Sequence, residues 1–230
     1  MTVSGSQADA PVVAIDGPSG SGKGTISQLL AARLGWHYLD SGALYRLTAL
    51  AAARHGVALD DAAGLARLAA ALDVRFEIDG DAECILLDGA PVGRDLRSET
   101  TGDGASRVAA LPEVRAALLG RQRAFRDAPG LVADGRDMGT VVFPSAEIKI
   151  FLTASPEARV ERRYKQLKEK GIDASLAGLS EELAERDRRD SERDAAPLRP
   201  ASDAVVVDST ALDIAACLDR CLEIVRQRLS

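Results

Sequence analysis

The sequence predicts an α/β protein in which a parallel five-stranded sheet is flanked by helices and carries an inserted small α+β module and a helical lid. Three observations predict it. Val12-Val13-Ala14-Ile15 runs into Gly17 to Thr25, reading GPSGSGKGT, so that an apolar strand, a glycine-rich turn and a helix start follow in register. Four further apolar runs, Trp36 to Leu39, Leu131 to Ala133, Ile148 to Leu152 and Ala204 to Val207, alternate with longer stretches of helical period. Strands separated by helices imply parallel pairing with both faces covered. The pattern breaks between about residues 60 and 128, where Val74 to Ile78 and Cys84 to Leu87 flank the polar turn Asp79-Gly80-Asp81-Ala82. That is a hairpin signal, foreign to a parallel sheet. The expected division is a flexible tail at 1–10, a core at 11–59 and 129–230 with its lid at about 160–195, and an inserted module at 60–128.

The individual elements follow from their ends. The first helix, Thr25 to Leu34, closes at Gly35, a residue suited to the left-handed cap position. Within the insertion, helices are expected around Ser98 to Ala110 and Glu113 to Phe125, the second after Pro112, which a first helical turn tolerates. The last helix, about Leu212 to Leu229, follows the capping candidates Ser209 and Thr210. Its apolar positions Ile214, Cys217, Leu218, Cys221 and Ile224 recur at helical spacing, so it is expected to pack on the sheet.

Composition narrows the function classes. A net charge of −6 over 230 residues argues against a general binder of nucleic acid or anionic membrane, so phosphate recognition must be local. No apolar run reaches the ~20 residues of a membrane span, and the first ten residues lack an apolar signal core. The expectation is a cytoplasmic monomer with no nucleic-acid or membrane partner. Three scattered cysteines fit a reducing compartment. Cys217 and Cys221 share a helix face, but no neighbouring Cys or His completes four metal ligands, so they read as small buried apolar residues. His37 and His55 stand alone and receive no role.

The chemistry begins at the loop. Its glycines allow backbone N–H groups to point at oxygen anions, Lys23 adds a mobile positive charge, and the following helix turns its positive end to the same point. Gly17, Pro18, Ser19, Gly20, Ser21, Gly22, Lys23, Gly24 and Thr25 are therefore assigned to a nucleoside triphosphate, with Lys23 catalytic. The spacing satisfies GxxxxGK, yet Gly24 follows the lysine and the hydroxyl comes one place later at Thr25. A loop of the form GxxGxGKGT resembles the nucleoside monophosphate kinases. At the end of the second strand, Leu39-Asp40-Ser41-Gly42-Ala43 with Tyr45-Arg46 puts Ser41 and Arg46 where ligands of open parallel sheets bind. The stretch Leu131 to Gly139 delivers Asp134 at a strand tip like a Walker B carboxylate, a holder of Mg2+ through water, with Thr25 as a second metal contact. Arg136 and Asp137 follow on the loop. In the charge run from Glu185 to Asp194, Arg186, Arg189, Asp190 and Arg193 fall at i, i+3, i+4 and i+7, enough to close guanidinium groups over a polyphosphate. Arg159, Arg162 and Arg163 repeat that spacing on the preceding helix, and with Gly171 and Gly178 between them the region reads as a movable lid.

Through GPSGSGKGT, LDSGALYR, ASRVAALPEVR, RQRAF, ADGRDMGTVVFP and ERDRRDSER the chain resembles the bacterial cytidylate kinases, which have a P-loop kinase fold. The resemblance implies transfer of the γ-phosphoryl group of ATP to CMP or dCMP, with Mg2+. It implies that Ser106, Arg115, Asp137 and Arg193 contact cytosine, that Arg46 and Arg136 hold the acceptor phosphate, that Arg186 and Asp190 lie near the ribose, and that Ser41 touches CMP. The insertion would be the CMP-binding module, and Arg136, Arg162 and Arg189 would join Lys23 around the transferring group. A nucleoside monophosphate ionises near pH ~6, so its oxygen needs no general base, in keeping with the absence of a catalytic histidine. Two other functions stay open on the residues alone: a P-loop kinase for another small acceptor, and a non-catalytic nucleotide-binding switch.

Overall fold

The computed structural model describes residues 10–79, 82–96, 98–169 and 171–229, without the side chains of 75–84. Gly80 and Asp81 of the expected hairpin turn, the Cys84 side chain and all but the last residue of the expected tail lie outside that description. In chain order the elements are β1 (Val12–Asp16), α1 (Lys23–Leu34), β2 (His37–Asp40), α2 (Ser41–His55), α3 (Ala62–Ala70), β3 (Val74–Asp79), β4 (Ala82–Leu87), β5 (Ala90–Pro91) and α4 (Gly93–Leu96). They continue as α5 (Glu99–Val108), α6 (Pro112–Arg123), β6 (Leu131–Gly135), a π-helical turn (Met138–Val142), β7 (Ile148–Thr153), α7 (Pro156–Glu169), α8 (Leu176–Glu192), β8 (Val205–Asp208) and α9 (Ile214–Leu229). No described helix is long and apolar enough to cross a membrane.

The chain forms two compact units, Met1–Asp40 with Arg123–Ser230, and Ser41–Gln122. The first holds a parallel five-stranded sheet in the order β2-β6-β1-β7-β8. All five residues of both β1 and β6 are buried, which is why Val12 to Ile15 and Leu131 to Ala133 read as unbroken apolar runs. From β1 the chain moves to β2 on one side of the sheet; from β7 it moves to β8 on the other. Connections that diverge in this way open a crevice beyond the carboxyl ends of β1 and β7. Ile26 and Leu30 of α1 join Cys217, Leu218, Cys221 and Leu222 of α9 over Val13, Ile15, Val132, Ile148 and Ile150. The two cysteines are thus buried core residues. α1 ends at Gly35, whose φ of 68° is left-handed.

Every core strand runs one or two residues beyond its last apolar residue. Asp16, Asp40, Asp134 and Asp208 all stay in the ladder, with Asp40 beside Asp134 and Asp134 beside Ile15. The expected cap of the last helix is corrected: Asp213 accepts from Ala216 N at 2.8 Å, so Ser209 and Thr210 serve elsewhere. Gly178 likewise lies inside the first turn of α8, its N–H taken by the Ser175 hydroxyl at 3.0 Å, and only Gly171, with φ 70°, stands between α7 and α8.

The second unit contains a three-stranded antiparallel sheet, β3-β4-β5, and helices α2 to α5 with most of α6. The expected hairpin is present as β3 paired with β4, Val74 opposite Leu87 through Asp79 opposite Ala82. α2 belongs to this unit, whereas the sequence reading kept residues 41–59 with the core. Local contacts tie α2 here: Arg54 donates to Leu87 O at 2.8 Å and Arg46 to Leu96 O at 3.0 Å.

Candidate active site

The glycine-rich loop leaves β1 at the crevice and hugs the end of β7. A Cβ on Gly17 would stand 2.0 Å from Leu152 O, so no other residue permits this approach. Lys23 opens α1, and its Nζ donates to Pro18 O at 3.3 Å, across the loop. Burial pushes the Lys23 ammonium down to about 8, Arg136 and Arg186 adding to the effect while Asp134 and Asp40 oppose it. Pro18 to Gly22 complete the turn, Gly24 follows Lys23 in α1, and Thr25 is exposed on the first turn of that helix.

Two arginines of α7 hold the loop from outside. Arg159, buried, donates to Ser19 O at 3.1 Å and pairs with Asp187 of α8 at 2.6 Å. Arg162 donates to Ser21 O at 3.2 Å and to the Ser209 hydroxyl at 3.0 Å. The Ser209 hydroxyl also lies 3.1 Å from Ser21 O and 3.0 Å from Thr153 O, joining loop, β7 and α7. Arg162, a candidate lid group by its spacing, thus also braces the glycine-rich loop. Arg189 lies on α8 beside Glu185 at 3.8 Å.

Asp134 ends up against the first turn of α1. A Cβ on Gly24 would approach its Oδ2 to 3.3 Å, which gives a physical reason for glycine at the position after the lysine. Tyr38 donates to the same oxygen at 3.4 Å. Burial, with Asp40 alongside, raises the Asp134 carboxyl to about 6, against the pull of Lys23 and Arg136. A carboxyl raised by folding binds its proton more tightly in the folded than in the unfolded protein, so stability falls as pH rises from about 4 to about 6. Melting temperatures of the ligand-free parent and Asp134→Asn across that window check this. The parent should lose stability relative to the variant as pH rises, and a constant difference would contradict the sign.

Beyond β6 the charged residues gather. Arg136 donates to Asp190 of α8 at 2.8 Å, and Asp190 is 4% exposed. Burial opposes its charge, but Arg136, Arg186 and Arg193 outweigh it and hold the carboxyl below its usual range. Arg193 lies one residue past the end of α8 in extended conformation, so the expected helical face stops short of it. Its guanidinium nonetheless reaches within 4.0 Å of Asp137, both side chains being buried. The structure therefore brings Arg136, Asp137, Arg186, Asp190 and Arg193 into one cluster.

In the second unit Ser41 begins α2 and is buried. Arg46 also donates to Ser98 O at 3.3 Å, and its guanidinium lies flush against Gly102 of α5. Arg115 donates to Ala109 O at 3.2 Å and sits 5.8 Å from the centre of the Tyr45 ring. The Ser106 hydroxyl is buried with no hydrogen-bond partner, a costly arrangement unless a ligand completes it.

Three contributors escaped the sequence reading. Ser209 was read as a cap, and Arg159 only as one of a row. Asp16 was not singled out at all, although an acidic residue between an apolar run and a phosphate loop is a visible signal. Buried, it accepts from Met138 N and Gly139 N at 2.8 Å each, while burial raises its carboxyl to about 7.

A family model described as cytidylate kinase matches residues 13–227. The cytidylate kinase of Aeromonas hydrophila is 59% identical over 96% of each chain. That of Stutzerimonas stutzeri is 60% identical over 95% of this chain and 96% of its own, and that of Nitrosococcus oceani 61% identical over 90% and 92%. With its glycine-rich loop and strand-tip aspartates on one parallel sheet and an arginine–carboxylate cluster beyond β6, the chain belongs to the cytidylate kinase family.

Proposed function

We propose that this chain transfers the γ-phosphoryl group of ATP to CMP or dCMP, giving ADP and CDP or dCDP, as a single cytoplasmic chain. The observation that carries the reading is the union of phosphate loop and arginine–carboxylate cluster at the carboxyl edge of one sheet in a cytidylate kinase family member. The alternatives, another small acceptor or a switch without chemistry, have no observation in their favour.

The loop from Gly17 to Thr25 binds the phosphates of ATP, and Lys23, with Arg136, Arg162 and Arg189, offsets the charge of the transferring group. In the first unit Arg136 holds the acceptor phosphate, Asp137 and Arg193 meet cytosine, and Arg186 and Asp190 the ribose. In the second, Ser41 and Arg46 take the acceptor and Ser106 and Arg115 the base; the unpartnered Ser106 hydroxyl supports that assignment. Among the described residues no group of three or more His, Cys, Asp or Glu is arranged to hold a metal by itself. This suits Mg2+ arriving with ATP, since that ion keeps waters and takes phosphate oxygens with one or two protein ligands. Asp134 through water and the Thr25 hydroxyl are the groups that would meet it, and it supplies charge neutralisation. The acceptor phosphate is ionised at neutral pH, so the protein need only align it and keep water out. A cytoplasmic site is supported by the free thiols of Cys217 and Cys221, both buried.

The test is ADP formation by the purified protein with ATP and Mg2+, alone and with CMP, dCMP, UMP, AMP or GMP. CMP should drive turnover far above the acceptor-free rate. Hydrolysis independent of CMP, or preference for a purine acceptor, would overturn the reading.

A further inference from the structure

Asp16 is a deeply buried carboxylate to which the mechanism gives no work. It lies at the tip of β1, in register with Gly135, immediately before the loop glycine Gly17. Its two oxygens take the N–H groups of Met138 and Gly139, 2.8 Å each, from 122 and 123 residues away. Those donors open the π-helical turn Met138–Val142, where a helical segment has N–H groups without partners of their own. The residue placed to cap them locally is Asp137, yet its side chain makes no cap and is turned toward Arg193. A distant carboxylate thus does the local residue's work.

We propose that Asp16 is a positioning residue for the acceptor: by capping the turn in place of Asp137, it fixes the backbone from which Arg136 and Asp137 project and assigns the Asp137 carboxylate to substrate recognition. Because Asp16 is bonded to Gly17, the same side chain ties the donor's loop to the acceptor's loop through a single residue. This role of Asp16 rests on the proposed function of Arg136 and Asp137 as CMP ligands. An amide at position 16 keeps the shape and one acceptor but turns a second donor toward an N–H, so one bond is lost and the turn shifts.

The experiment is steady-state kinetics of Asp16→Asn, Asp137→Asn and the double variant at pH 8, above the value of about 7 for the Asp16 carboxyl. Asp16→Asn should raise KM for CMP ~10–100-fold, the scale of a small misplacement of a binding group, while KM for ATP stays close to the parent's. In the Asp137→Asn background the same change should add little, because both act through one contact. Equal losses for ATP and CMP, or full additivity with Asp137→Asn, would reduce Asp16 to a general structural role and overturn the proposal. The underlying reading fails separately: Asp137→Asn with parental KM for CMP would remove the loop from acceptor binding altogether. If Asp16→Asn does not fold, Asp16→Ser, a single acceptor in a smaller side chain, carries the same comparison.

Discussion

Lys23→Ala is expected to lower kcat by ~10²–10³-fold while leaving the protein folded, the usual loss when a preorganised charge at a reacting group is removed. Folding should tolerate the change for reasons visible at the site. The ammonium is held down to about 8 by burial and neighbouring arginines, so the fold carries a cost for its charge. It also sits in the first turn of α1, where a cation opposes the helix dipole and alanine is a strong helix former. Its hydrogen bond to Pro18 O, at 3.3 Å, is long and its loss minor. Circular dichroism melts and single-turnover assays at saturating ATP and CMP separate fold from chemistry. A folded variant with near-parental turnover would remove the phosphate-loop assignment.

The second large effect concerns choice of base. Arg115→Met should cut kcat/KM for CMP by tens to thousands of fold, since leaving one partner of a buried charged hydrogen bond unpaired costs ~2–5 kcal/mol. It should cost UMP less, so the CMP to UMP ratio falls. Methionine keeps an unbranched apolar stem but removes the guanidinium that sits 5.8 Å from the centre of the Tyr45 ring, so the variant's melting temperature is measured beside its kinetics. Arg46→Ala is the contrast: assigned to the acceptor phosphate, it should penalise every monophosphate alike. Its bonds to Leu96 O and Ser98 O also brace α2 against the turn before α5, so its melting temperature must be measured beside its kinetics. An unchanged ratio in Arg115→Met with a collapsed ratio in Arg46→Ala would exchange the two assignments.

Much of this was legible in the chain because the informative signals are local. The five core strands, the loop and the Gly35 cap each rest on a few consecutive residues, and each lies where the pattern put it. The carboxyl ends of the core strands fall beyond the apolar runs: hydrophobicity stops at Ile15 or Ala133, but ladder hydrogen bonds continue through Asp16 and Asp134 because backbone pairing is indifferent to the side chain. What did not show was partnership at a distance. Nothing near Ser209 reveals that its hydroxyl will meet Ser21, 188 residues earlier, and a Ser-Thr pair before a helix reads naturally as a cap. Arg162 has the spacing of a lid residue, and only the path of α7 past the loop adds its bond to the Ser21 carbonyl. The Asp137 to Arg193 pairing likewise needed the chain beyond α8, where helical spacing no longer applies.

The arginines behind the loop have a consequence for peptide polarity. In a trans peptide the carbonyl and the following N–H point in opposite directions. Arg159 draws the Ser19 carbonyl toward α7, so the N–H of Gly20 faces away from it; Arg162 does the same for Ser21 and the N–H of Gly22. Two cations that grip only oxygen thereby sort the loop into an acceptor side and a donor side. For the triphosphate that the proposed function brings to this loop, the amides of Gly20 and Gly22 are already turned outward from α7, so the orientational entropy of those peptide planes is surrendered during folding, when the core is assembled, instead of at each turnover.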